Sequence, residues 1–150
     1  MLAHRIRLPR LAAALLGCVV ASSVALKADG ALQLTANSLQ FNPCNGETAT
    51  GLVDVLLLVQ VNEETGQVKV HRSFHGTLTG NQGNTYQVRS IANDFFDAPQ
   101  PSYEVAFHNN VTGLGEAPNF ETTGTMQLFV DADQNPTGYT ASSTSFTCKQ

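Results

Sequence analysis

Four sets of residues in this 150-residue chain have types and spacings that can do chemistry. Cys44 and Cys148 are separated by about 100 residues, and neither has a second cysteine or a histidine at ligand spacing. That argues against a metal or a nucleophile and for a disulfide, a bond that persists in oxidising compartments. A loop of that length contributes roughly 4–5 kcal/mol through chain entropy, a large share of a typical stability of about 5–15 kcal/mol. His71 and His75 are four residues apart. On a helix they would share a metal ion, but on a strand their Cα atoms stand about 13 Å apart. Asp131, Asp133 and Asn135 repeat oxygen ligands at alternate positions, as calcium loops do. Pro136 stands where such a loop wants glycine, and Ser142 where it wants a bidentate glutamate, so a polar hairpin turn accounts for the same letters. Asp94, Asp97 and Glu104 flank the proline-rich stretch Asp97–Pro101 and form either a carboxylate pair or a solvated rim.

No further catalytic pattern is present. There is no G-x-S-x-G, no tryptophan, and no cysteine left over after the Cys44–Cys148 pair once the leader is set aside. Asn110-Val111-Thr112 spells a glycosylation sequon without further support. No cofactor-binding motif is read, and no metal ligand set beyond the Asp131, Asp133, Asn135 candidates.

The first 25 residues have the layout of an export signal. His4, Arg5, Arg7 and Arg10 come first, then the uncharged run from Leu11 to Ala21, then a Ser-x-Ala site ending at Ala25. The apolar run is shorter than the ~18–20 residues that a membrane span needs, so no transmembrane span is expected in the mature chain. Leu15-Leu16-Gly17-Cys18 also resembles a lipobox, which would make Cys18 a lipidated first residue. Both routes leave Cys44 and Cys148 to pair, and both place the protein outside the cytoplasm, secreted or in the periplasm and cell envelope.

Cleavage after Ala25 removes three of the eight basic residues and no acid, leaving five against 12 acidic, a net charge of −7 on 125 residues. That disfavours nucleic acid and anionic membrane surfaces, which require clustered Lys and Arg. It is a size sufficient for one domain with a core. The expected division is a signal peptide over 1–25, a tether or first strand over 26–38, and one disulfide-closed β domain over 39–150.

The elements that must position these residues are strands. Val53, Val55, Leu57, Val59 and Val61 alternate on one face, while Leu56 and Leu58 make the other face apolar in its middle, which predicts cover on both sides there. Val68, Val70, Phe74 and Leu78 oppose Lys69, His71, Ser73, His75 and Thr77. Tyr86 and Val88 share a face; Tyr103, Val105, Phe107 and Val111 mark another strand, Phe120, Met126, Leu128 and Val130 the next, and Tyr139 to Cys148 the last. The five prolines after the leader all fall in or beside turns, as a strand ladder requires. Ser90 to Asp97 is also compatible with a helical turn.

Six strands then lie between Cys44 and Cys148. In an up-and-down meander an even count returns the chain to the end where it began, so the two cysteines meet and join the first and last strands. The expected fold is therefore all-β, an antiparallel up-and-down meander of about six to seven strands closing as a small barrel, with a β-sandwich as the alternative.

Asn42-Pro43-Cys44-Asn45-Gly46-Glu47, Gly83-Asn84-Thr85-Tyr86 and Phe146-Thr147-Cys148-Lys149 give the chain its most distinctive spelling. Over residues 39–149 the layout resembles a group of small exported bacterial β proteins without an assigned function, which open their domain with N-P-C-N-G-E and end it with a cysteine near the C-terminus. The resemblance implies an extracytoplasmic compartment and an all-β fold, and it transfers no activity.

Three functions are compatible with these features. One is a non-enzymatic exported β domain with a surface, binding or structural role. The second is a lipocalin-like carrier of a small apolar ligand in the barrel lumen. The third is a barrel-type isomerase or cyclase. A lumen filled by Val53, Val55, Val70, Phe74, Phe107 and Leu128 favours the first; an open apolar cavity of about 300 Å³ or more favours the second. Convergent groups with displaced pKa values favour the third.

Overall fold

The computed structural model describes residues 26–28 and 30–149. The proposed signal peptide and Cys18 lie outside the described residues. Eight strands follow in chain order: β1 (Leu26–Ala28), β2 (Ala31–Asn42), β3 (Glu47–Val61), β4 (Val68–Gly80), β5 (Thr85–Phe96), β6 (Ser102–Gly113), β7 (Phe120–Val130) and β8 (Pro136–Cys148). They form one antiparallel sheet in which each strand pairs with its neighbours in sequence. The seven long strands curl into a nearly closed barrel, so the sandwich alternative does not apply. The six strands β3 to β8 separate the two cysteines, and the even count brings Cys44 and Cys148 to the same end, with Cα atoms 5.0 Å apart in a disulfide.

Alternation decides the interior. Leu32, Leu34, Val53, Val55, Leu57, Val70, Phe74, Leu78, Val88, Val105, Phe107 and Leu128 all face inward and are buried, including every one of the six residues expected to fill the lumen. Tyr86, Tyr103 and Phe120 are the largest fully buried side chains. Tyr86 meets Phe120 edge to face at 5.7 Å, and Phe96 lies 4.8 Å from Tyr103. The second face of β3 is only half covered: Leu56 and Leu58 are half-buried, and Leu52 stays 59% exposed. Ser90–Phe96 continues β5 as a strand and forms no helical turn. β2 runs unbroken from Ala31 to Asn42, so position 38 is interior to a strand.

The barrel wall is incomplete in two places. β4 and β5 pair along their whole length, from Val68↔Phe96 to Thr79↔Thr85. β5 and β6 pair only from Tyr86↔Gly113 to Arg89↔Asn110, and beyond Arg89 the two strands part. The second interruption is the seam between β2 and β8, which are the two ends of the long meander and share no ladder. β1 pairs with the first residues of β2, from Ala28↔Ala31 to Leu26↔Gln33, on the side that faces the seam.

Candidate functional site

The only fully buried carboxylate among the described residues sits at the disulfide end of the barrel. Glu47 opens β3 with the parity of Ala49 and Val53, so its side chain points inward, and it is completely buried. Its Oε2 accepts from the Tyr86 hydroxyl at 2.5 Å, Asn84 Nδ2 at 2.8 Å and Asn45 Nδ2 at 3.1 Å. Oε1 accepts from the Gln82 N–H at 2.8 Å. Burial works against the charge, but these four donors outweigh it and hold the carboxyl at about 2 instead of 4.5. The Tyr86 hydroxyl is pushed upward by its own burial and by donating to Glu47. It in turn accepts from Asn42 Nδ2 at 3.2 Å and Asn45 Nδ2 at 3.1 Å. Asn42 closes the cluster by taking the Cys44 N–H at 2.9 Å.

The two internal sequence motifs are thus two halves of one knot. Asn42, Asn45 and Glu47 come from the first, Asn84 and Tyr86 from the second, and the disulfide lies beside them. Gly80 makes room for it, since a Cβ there would overlap Glu47 Oε1. Four donors engage the two carboxylate oxygens, three on Oε2 and one on Oε1. A carboxylate that is completely buried and engaged by four donors is closed off from a substrate in solution, so the knot pins a barrel end.

The second buried charge is Arg72, with the inward parity of Val70 and Phe74 on β4 and only 4% exposed. Its Nε donates to Asp94 Oδ2 at 2.8 Å, and its Nη2 donates to the Ala106 carbonyl at 2.6 Å. That carbonyl belongs to the part of β6 that β5 no longer pairs. The Ser90 hydroxyl reaches the next such carbonyl, His108 O, at 3.4 Å. Two side chains therefore stand in for ladder hydrogen bonds where β5 and β6 part, satisfying carbonyls that the ladder leaves without a partner. An open groove of about 510 Å³ crosses the wall here, lined by Arg72, Ser90, Ile91, Ala106, His108 and Thr123 among others.

The sequence candidates are distributed as follows. Cys44 and Cys148 meet. Asp131, Asp133 and Asn135 share the β7–β8 turn, but Asp131 Oδ1 is engaged by that turn, accepting from the N–H groups of Asp133 at 3.0 Å and Asn135 at 2.9 Å. Asn135 Nδ2 also donates to Asp131, and Gln134 takes a positive φ of 62° to tighten the bend. This is turn chemistry of the Asx type. His71 and His75 point outward as expected; His71 Nδ1 lies 2.9 Å from Asn93 Oδ1, and His108 contacts Glu121 at 3.1 Å, so the three histidines do not converge. Asp94 turns inward to Arg72 while Asp97 and Glu104 are exposed, so these three carboxylates form no pair.

Glu47 and Arg72 were missed by motif reading, although strand parity places both inside. The lumen beneath them is filled. A small, partly open space of about 60 Å³ lies between β2, β8 and Phe74, Val88, Phe107 and Asn109. Among the described residues, no group of three or more His, Cys, Asp or Glu side chains is placed to hold a metal ion. Comparison with known proteins adds no identity: no protein family, no curated protein and no solved structure matches this chain.

Proposed function

We propose that the chain is an exported, non-enzymatic β-barrel domain that acts through its surface, and that it is allied to the small exported bacterial β proteins with an N-P-C-N-G-E start. The packed lumen carries this proposal. The space of about 60 Å³ behind β2 and β8 is far below the 300–1,000 Å³ of typical small-molecule pockets, and the groove of about 510 Å³ between β5 and β6 is open to solvent, which disfavours an apolar ligand held inside. The carboxylate with the strongly lowered pKa is completely buried and engaged by four donors, so the usual sign of an acid or base here accompanies a structural knot. The Cys44–Cys148 disulfide supports an oxidising compartment.

Two measurements test it. The protein recovered from its producing cells should lie outside the cytoplasm, start at or near Leu26 and have no free thiol at Cys44 or Cys148. A blocked, lipidated Cys18 would replace secretion with a membrane anchor, and a cytoplasmic, reduced protein would overturn export altogether. Titration with a fluorescent fatty acid should show no saturable one-to-one binding; a stoichiometric luminal complex would restore the carrier.

A further inference from the structure

The two strands that flank the seam differ from the rest. β2 and β8 contain no Asp, Glu, Lys or Arg, whereas each of β3 to β7 contains at least one. Open sheet edges are usually guarded by charges, prolines or short length, because unpaired N–H and C=O groups recruit other strands. Here the edges are 12 and 13 residues long, and the one proline, Pro136, sits at the very start of β8. Leu39, 43% exposed, lies on the outer face of β2, and Leu52 of β3 is beside it.

The seam is held at the disulfide end, where Phe41 and Phe146 meet edge to face at 6.1 Å. Away from that end the 60 Å³ space lies directly behind it, lined by Ala36, Ser38 and Gln40 from β2 and Tyr139, Ala141 and Ser143 from β8. Asn109, 8% exposed, also lines that space, and its Oδ1 is buried without a hydrogen-bond partner. An acceptor in that state costs free energy until a donor arrives. The same edge of β2 already takes an added strand: β1 pairs with Ala31 to Gln33, and no strand among the described residues pairs with that edge from Leu34 onward.

We propose that the β2–β8 seam is a docking slot for an extended, uncharged peptide segment of a partner protein, which continues the line of β1 and completes the barrel wall as an added strand. Main-chain hydrogen bonds to the β2 and β8 edges supply the attraction, and one inward side chain bearing an N–H or O–H fills the space before Asn109. Uncharged edges select an uncharged segment, because a charge brought into the slot has no counter-charge on either strand. The usable edge from Leu34 to Gln40 spans about 20 Å, room for roughly seven residues of partner. This inference rests on the surface-acting role, but export and a packed lumen that takes no ligand are measured separately and can stand if the slot fails.

The test is a random nonapeptide display library selected on the purified, oxidised protein, followed by hydrogen–deuterium exchange with the recovered peptides. The expected peptides are uncharged with period-two alternation. They should slow exchange of the Leu34–Gln40 and Tyr139–Phe146 amides about tenfold or more, and leave β5 and β6 unchanged. Ser143→Lys and, independently, Asn37→Lys on the outer side of β2 should abolish this protection while the protein stays folded by circular dichroism. Several outcomes overturn the proposal: no peptide recovered, protection on another face, or binding indifferent to both lysine variants. Edge amides already protected in the dilute, free protein would show a slot closed by β2–β8 pairing or by the chain's own leading residues. Protection that appears only with rising protein concentration would assign the edges to a second copy of this chain.

Discussion

Replacing Glu47 by Gln changes one atom and tests whether the knot at the disulfide end carries the stability its geometry implies. The carboxylate accepts three hydrogen bonds on Oε2 and one on Oε1. The amide keeps a single acceptor oxygen. If that oxygen takes the place of Oε2, the new NH₂ faces the Gln82 N–H, donor against donor. The stranded N–H costs about 1–3 kcal/mol, and each of the three remaining bonds loses its charge assistance, roughly 0.5–1 kcal/mol apiece. Relief from burying an ion offsets part of this, so the expected net loss is about 2–4 kcal/mol at pH 7. The effect must also depend on pH. A carboxyl held at about 2 in the fold and near 4.5 when unfolded stabilises the protein above the unfolded value, and that contribution disappears as pH falls from 4.5 towards 2. Urea unfolding of the oxidised wild type and Glu47→Gln at pH 7, 5, 3 and 2.5 reads both effects. The gap between them should be full at pH 7 and should narrow below pH 4.5 as the wild type becomes protonated. A gap under about 0.5 kcal/mol at pH 7, or one that stays constant down to pH 2.5, would refute the charge-saturated knot.

Reduction of Cys44–Cys148, which closes a loop of 104 residues, should lower stability by roughly 4–5 kcal/mol, read as a shift in the urea midpoint between oxidised and reduced protein. Phe74→Ala should cost about 3–5 kcal/mol, while His75→Ala, one residue away on the outer face, should stay within about 0.5 kcal/mol; equal losses would contradict the observed register. Arg72→Ala strands the inward Asp94 and the Ala106 carbonyl. It should cost about 3 kcal/mol, nearer the low end for a broken buried pair because the Asp94 side chain is 28% exposed. Hydrogen exchange in that variant should accelerate first in the Ser90–Phe96 part of β5.

By itself the sequence determined the all-β class, the strand faces, the pairing of Cys44 with Cys148 and the return of the chain to its starting end. These follow from local rules: a period of two sorts each strand into two faces, turns fall at Gly, Pro and Asn clusters, and six strands bring two cysteines to one end. His75 outside and Phe74 inside are consequences of that period alone. The roles of Glu47 and Arg72 belong to the tertiary structure. Their parity was legible, but a charge at an inward position is ordinarily solvated at a strand end. Only the convergence of Asn45, Asn84, Tyr86 and Gln82 on one carboxylate, and of Asp94 and the Ala106 carbonyl on one guanidinium, makes their burial favourable. The parting of β5 from β6 and the unzipped seam between β2 and β8 were also invisible in the letters. Alternation fixes which way a side chain points within its own strand, whereas the distance between two strands is set by how the whole wall curves around its packed interior.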